Sequence, residues 1–453
     1  MSGIALIIAF VLAVILMIVM ISKFKVHPFL AIMAISLLLA LLAGLPLTSI
    51  ADTIGAGFSS AFTSIGIVII LGALIGSILE KTGAALKLAD MVIKLVGQKH
   101  PELAIELMGW VVSIPVFCDS GFVILDPIRK ALVKRTGTSS VAMTVALSAG
   151  LYISHVFIPP TPGPIAAAQT LGVGENLLLV MGLGVVCSIL PLLAGLCYAK
   201  FIGKRVKSAD ETHVSGEVVK TYEQLVKEYG KLPGGLNALA PLIVPIILMA
   251  LSSISSMAHW SGAVADLLTF LGKPIIALAV GTVFGIVQLN VAGKGKQLYD
   301  ITNETLKTVG PILFVTAAGS VLGKVISSSS MVDYIKANAN ALQTIGIFFP
   351  FLLAAILKSA QGSSTVAITT SAGIVAPLLE VLGITSPAGI ALVVMAIGAG
   401  AMTVSHANDS YFWVVTNFGE MTPDQGYKTQ TALTLVMGLA AMVGIFILSL
   451  FIH

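Results

Sequence analysis

Long apolar runs follow one another along almost the whole chain, and polar residues interrupt them at four places. Between Met1 and Met20 the only non-apolar positions are Ser2 and Gly3. Comparable runs cover 62–80, 138–172, 177–201, 238–257, 273–292, 309–327, 384–418 and 431–451. Each is long enough to cross a bilayer as a helix. The interruptions read PVFCDSGF (115–122), SHVFIPPTPG (154–163), LKSAQGSST (357–365) and SHANDS (405–410). The second and fourth resemble each other. An apolar, Gly-containing run reaches Ser154-His155 in one and Ser405-His406 in the other, meets a polar or Pro-rich break, and resumes as apolar sequence. IGSILEKTG (75–83) likewise resembles SVLGKVISSS (320–329). Broken helices at matching places in two halves are the sequence pointer to a secondary transporter's binding site.

Composition sets the class. Charged residues make up 10% and hydrophobic residues 57% of the chain, with a mean hydropathy of +1.02, so most of the protein lies in lipid. The first run lacks a basic n-region and a small-residue cleavage site, which predicts a retained span rather than a cleaved signal. Cys118, Cys187 and Cys197 fall in apolar runs without metal-ligand spacing and read as inert buried thiols. A net charge of +4 spread along loops implies no nucleic-acid partner. The sequence contains no His-Glu-x-x-His, Gly-x-Ser-x-Gly or Walker A string, so no enzyme, ATP-driven pump, metal or cofactor is expected.

Lys and Arg orient the chain, since short cytoplasmic loops carry their excess. Lys23 and Lys25, then Lys81 to Lys99, then Arg129 to Arg135 mark inside segments. The segment 46–61 holds a single charge, Asp52, and reads as an outside loop. Because basic clusters flank 103–128 on both sides, that run must enter and return on one face as a re-entrant hairpin. The predicted architecture is an all-α polytopic membrane protein built from two inverted-topology repeats. Residues 1–202 form the first, with a hairpin at about 103–128 and a broken helix at about 138–172. Residues 203–236 form a charged cytoplasmic linker. Residues 237–453 form the second, with a hairpin at about 347–380 and a broken helix at about 384–418. About ten crossings and two hairpins follow, with both termini outside and broken helices at the midplane.

The strings IPVFCDSGFVIL, SHVFIPPTPGPIAAA, SAQGSSTVAI and SHANDSYFWVV resemble the gluconate permease (GntP) family of the ion transporter superfamily. The resemblance implies proton symport of a sugar acid such as gluconate, or a short hydroxy acid such as glycerate, across the bacterial inner membrane. It also implies a homodimer with elevator-type alternating access. Dicarboxylate relatives in that superfamily carry Ser-Asn-Thr at their hairpin tips. Here the tips read Asp119-Ser120-Gly121 and Gly362-Ser363-Ser364-Thr365, so those sodium sites do not carry over. A sodium-coupled carboxylate symporter is the alternative, and an anion channel a more distant one.

The breaks suit an anion on their own chemistry. A glycine followed by hydroxyl residues permits a tight reversal and caps the next helix, whose N-terminus offers free amides and about half a positive charge. The anion site is expected between the tips and the two elbows. It draws on Ser120, Gly121, His155, Thr161, Lys358, Gln361, Gly362, Ser363, Ser364, Thr365, His406 and Asn408. Asp119 and Asp409 are the candidate proton carriers, since ionisable groups at membrane depth are costly and functional by default. Lys358 either attracts the substrate carboxylate or snorkels to the outer surface, and each histidine either serves the site or caps carbonyls freed at its break. Asp126, close to Arg129, reads as a structural salt bridge near the cytoplasmic surface.

Overall fold

The computed structural model describes residues 4–88, 91, 100–213, 232–257, 260–330, 345–407 and 409–452. Its chain is helical throughout these residues. The first half contains α1 (Ile4–Ser22), α2 (Pro28–Leu42), α3 (Leu47–Ala61), α4 (Ile67–Lys81), α5 (Pro101–Val112), α6 (Cys118–Thr136), α7 (Ser140–Phe157), α8 (Pro162–Thr170) and α9 (Leu177–Ile202). The short α10 (Asp210–His213) precedes α11 (Gly235–Met257), α12 (Ala263–Gly272), α13 (Pro274–Val291), α14 (Leu298–Ser327), α15 (Phe348–Gln361), α16 (Ser364–Val375), α17 (Pro387–Met402), α18 (Ser410–Phe418), α19 (Pro423–Gly426) and α20 (Ala432–Ser449). Among the described residues, seven helical stretches are long and apolar enough to cross a membrane.

Hydropathy sorts the helices into two groups. Every residue of α7 is buried, as is nearly all of α17. Helices apolar all round belong inside a protein. The outer helices instead show apolar stripes on one side: Ile4, Ile8 and Leu12 on α1, Val185, Ile189 and Leu193 on α9, Leu439, Val443 and Ile447 on α20. These recur every four residues, one helix face, and suit contact with lipid. Around α7 and α17 pack two helical hairpins, α5–α6 and α15–α16, with α9 and α20 alongside. The close α5–α7 packing needs Gly150, since a Cβ there would lie 1.8 Å from the Glu106 carbonyl oxygen.

Two outer helices receive this inner body through paired glycines. On α4, Gly72 faces the Pro160 carbonyl and Gly76 the Pro115 carbonyl; on α14, Gly319 and Gly323 face the backbone of α16 around Thr369 and Gly373. Four-residue spacing puts each pair on one face, and small residues let backbones meet there.

Several expectations change. Residues 46–61, read as a loop, form the amphipathic helix α3, which a π-turn at Phe62–Gly66 joins to α4. Its apolar positions Ile50, Ile54, Phe58 and Ala61 keep helical spacing, but intervening Thr, Ser and Asp dilute the hydropathy. Helix α14 begins at Leu298 rather than 309, and α12 fills a segment with no expected element. Within the Pro-rich break only 158–161 is non-helical, and α8 starts at Pro162. Prolines in a first turn sacrifice no intrahelical bond. Cys197 is exposed, not buried, because it lies on the outer face of α9. The linker is not wholly solvated either: Asp210, at its start, is buried.

Candidate functional site

Each polar break ends one helix and opens another, so four helix N-termini begin at the interruptions. In the first hairpin the reversal occupies 113–117, tied by Ser113 Oγ donating to the Val116 carbonyl at 2.9 Å. Asp119, Ser120 and Gly121 then form the first turn of α6. In the second hairpin Gly362, at φ +91, makes the reversal, a conformation that favours glycine. Ser363 caps α16 by accepting the Val366 amide at 3.3 Å. At the first elbow Thr161 donates its hydroxyl to the Ile158 carbonyl at 2.7 Å. At the second, Asp409 caps α18 by accepting the Tyr411 amide at 3.1 Å. The helices that open at the breaks pair up, α6 packing on α18 and α8 on α16.

The centre of the arrangement is a buried ion pair. Lys358 has no exposed surface; its Nζ lies 2.5 Å from Asp409 Oδ2 and also donates to the Gly362 carbonyl. Ser405 Oγ donates to the same Asp409 oxygen at 2.5 Å. The Tyr152 ring lies 5.7 Å from the ammonium, close enough for a cation–π contact. Lys358 therefore does not snorkel, because its charge finds oxygen partners within reach of its own helix end. Asp119 feels the charges of Asp409 and Lys358 and has the Ser410 hydroxyl in bonding reach. Its Oδ1 is buried without a partner among the described residues.

The two histidines differ. His155 is buried beside Tyr152 and Phe117, with ring centroids 6.4 and 6.1 Å away, and its Nδ1 has no partner among the described residues. His406 Nε2 lies 3.0 Å from the Ser359 carbonyl, tying the second elbow to the second hairpin rather than capping its own helix. Thr161 spends its hydroxyl within its own elbow. Ser364 and Thr365 are buried in the first turn of α16, with Ser364 in reach of the Tyr152 hydroxyl. Gln361 closes α15, and Asn408 lies outside the described residues.

Sequence reasoning missed three partners and one buried acid. Tyr152 sits three residues before His155, on the same helix face, a spacing that was available to be read. Ser405 and Ser410 flank a flagged aspartate by four and one residues. Glu106, an acid inside the apolar run of the first hairpin, carried the same signal as Asp119 and was passed over; it is buried, with neither carboxylate oxygen partnered among the described residues. Its Oε1 lies over Gly195, beside Ala149 and Met437. An unpaired buried polar group is a liability, and apolar replacement of such groups is often neutral or better. Glu106→Met is expected to leave the melting temperature unchanged or raise stability by about 1–2 kcal/mol. A fall beyond about 1 kcal/mol would show that the carboxyl has a structural partner.

Asp126 does form the expected structural pair: Arg129 Nε lies 2.6 Å from Asp126 Oδ1. A cleft of about 260 Å³, lined by Ser60, Gln169, Thr170, Ser320, Lys324 and Ser327, lies at the opposite, C-terminal ends of α8 and α16. Helix dipoles there turn their negative ends outward, which suits an anion less well than the four N-termini do.

Hairpins, broken helices and buried ionisable groups between them define a multi-pass membrane transporter. Two solved structures share the fold: the Alcanivorax borkumensis YdaH transporter (TM-score 0.63, 16% identity, covering 93% of this chain and 97% of that one) and Neisseria gonorrhoeae MtrF (TM-score 0.64, 16% identity, covering 95% and 96%). The chain belongs to the GntP family of permeases, whose pattern it matches over residues 5–451. It is 33% identical to the inner membrane permease YgbN of Escherichia coli K12, covering 97% of both chains. An uncharacterized permease of Haemophilus influenzae is also 33% identical, over 90% of this chain and 85% of that one. A gluconate permease of Pseudomonas aeruginosa is 29% identical, over 96% and 95%.

Proposed function

We propose that this chain imports a sugar acid of the gluconate class by proton symport across the bacterial inner membrane. The observation that carries the reading is the meeting of the N-termini of α6, α16 and α18 around two carboxylates and one ammonium, with α8 packed on α16. Fixed amide dipoles suit the substrate's carboxylate, and a cluster one negative charge in excess has room for one proton. Relatives named as gluconate permeases over nearly full length support the substrate class. Ten crossings, inverted repeats and external termini remain the topology we favour. The matched glycine pairs on α4 and α14 support an elevator motion, since backbone-to-backbone contacts offer few side-chain obstacles to sliding. A homodimer, with the lipid bilayer around it, completes this reading.

Asp119 is assigned as the proton seat and Asp409 as its fixed neighbour, because Asp409 is already engaged by Lys358 and Ser405. Purified protein in liposomes is to be screened for uptake of gluconate, idonate, fructuronate, glycerate, lactate and D-serine under imposed pH or sodium gradients. One coupled proton drives about tenfold accumulation per pH unit. Saturable uptake of a sugar acid that follows the pH gradient is expected; uptake that follows sodium alone would overturn the coupling. In Asp119→Asn, accumulation under a pH gradient should vanish while counterflow exchange persists. Undiminished accumulation would move the proton to Asp409, His155 or His406.

A further inference from the structure

We propose that the Lys358 ammonium is a resident cation, seated among oxygens that would otherwise hold a free monovalent cation, and that it relieves this chain of any need for sodium. The inference rests on the transport reading of the four breaks and deepens it.

The donors around Nζ carry the argument. They are a backbone carbonyl at a hairpin reversal, Gly362 O, and a carboxylate, Asp409 Oδ2, itself bonded by the Ser405 hydroxyl. Hard oxygen donors of these kinds bind alkali cations, and transporters commonly build cation sites from the C-terminal ends of half-helices. Lys358 stands in the last turn of α15, where the helix dipole is negative. One reversal thus makes two seats: α15 ends at a cation seat, and α16 begins at the anion seat two residues later. The Tyr152 ring closes the cation seat from α7.

The charge balance points the same way. The titratable groups that face the seat are Asp409 and His406 from the second elbow, Cys118 and Asp119 from α6, Tyr152 and His155 from α7, and Tyr411 from α18. Among the Lys, Asp and Glu side chains of this cluster, Lys358 supplies the one positive charge against two carboxylates. A diffusible cation added to the occupied seat would meet a like charge; a seat emptied of its ammonium would present the Asp409 carboxylate and the Gly362 carbonyl to any small cation, with Asp119 nearby.

The test is Lys358→Ala in the full-length protein, with Lys358→Gln carrying the same measurements should the alanine variant fail to fold. Melting temperature is measured without substrate in choline, sodium and methylammonium chlorides at matched ionic strength. Affinity for whichever sugar acid the uptake screen identifies is measured in the same salts. In choline the variant should bind that acid about tenfold or more weakly. Sodium or methylammonium should raise its melting temperature saturably, as expected for a ligand of the folded state, and restore affinity to within about threefold of the parent. The parent should respond to none of these cations. A folded variant insensitive to both small cations, or a parent whose melting or uptake responds to sodium, would overturn the proposal. The substrate-free melting measurement stands even where no sugar acid binds, so failure of the transport reading and failure of the resident cation are separable.

Discussion

Ser364→Asp should abolish binding of the transported anion, whereas Ser364→Asn and Ser364→Ala should leave binding measurable. Ser364 occupies the first turn of α16, buried within reach of the Tyr152 hydroxyl, where free backbone amides meet the proposed anion seat. A carboxylate placed there competes for those amides and repels the substrate. Two like charges about 5 Å apart at an effective dielectric of about 20 repel by roughly 3 kcal/mol, more than a hundredfold in affinity. Loss of the hydroxyl alone should cost about 1–2 kcal/mol. Asparagine matches aspartate in shape without its charge and separates the two effects. Titration calorimetry in detergent reads all three variants without requiring transport. Unchanged affinity in Ser364→Asp would remove the second hairpin from the binding site and shift attention to the elbow at 158–161.

Arg129→Gln should be the most destabilising single substitution at the linker end of the bundle. Arg129 is fully buried and serves four partners: Asp126 at 2.6 Å, Asp210 at 2.8 Å, Ser140 at 2.6 Å and the Phe418 carbonyl at 3.3 Å. Lys130 stands 3.7 Å from Asp210 and 3.4 Å from Glu420, too far to replace a bidentate guanidinium. Removing one partner of a buried ion pair typically costs about 3–5 kcal/mol because the other charge stays behind. Here two carboxylates are left. Asp210 also anchors the start of the inter-half linker, so the same variant should be cut by trypsin faster at Lys204, Arg205 and Lys207. Arg129→Lys should fall between the two, since a point charge cannot fork between two acids. Wild-type thermal stability together with unchanged proteolysis would mean that the cluster does not hold the linker.

Ser364 and Arg129 also mark how far the sequence can be read. The hydroxyl cluster at 363–365 is legible because three hydroxyl residues in a row interrupt an apolar run, and the hairpin follows because basic residues flank the corresponding run in the first half. Both signals are local. Arg129 looked like the partner of Asp126, three residues away, and that pair exists. Its second acid, Asp210, lies 81 residues further on, in a stretch whose composition reads as solvated. The amphipathic α3 was hidden for a related reason: averaging over a window discards the phase of the apolar positions, and phase is what buries Ile50.

The sequence by itself determined the membrane class and the four polar breaks at which one helix ends and the next begins. Hydropathy, helix breakers and capping residues act over a few positions, so a linear reading recovers them. Only the tertiary structure decided how the ionisable groups are partnered: Lys358 with Asp409, 51 residues apart, and, among the described residues, Asp119 with one unpartnered oxygen and Glu106 unpartnered against Gly195. Partner choice depends on how helices distant in the chain cross in space, and a side chain's charge has chemical meaning only once its neighbours are fixed.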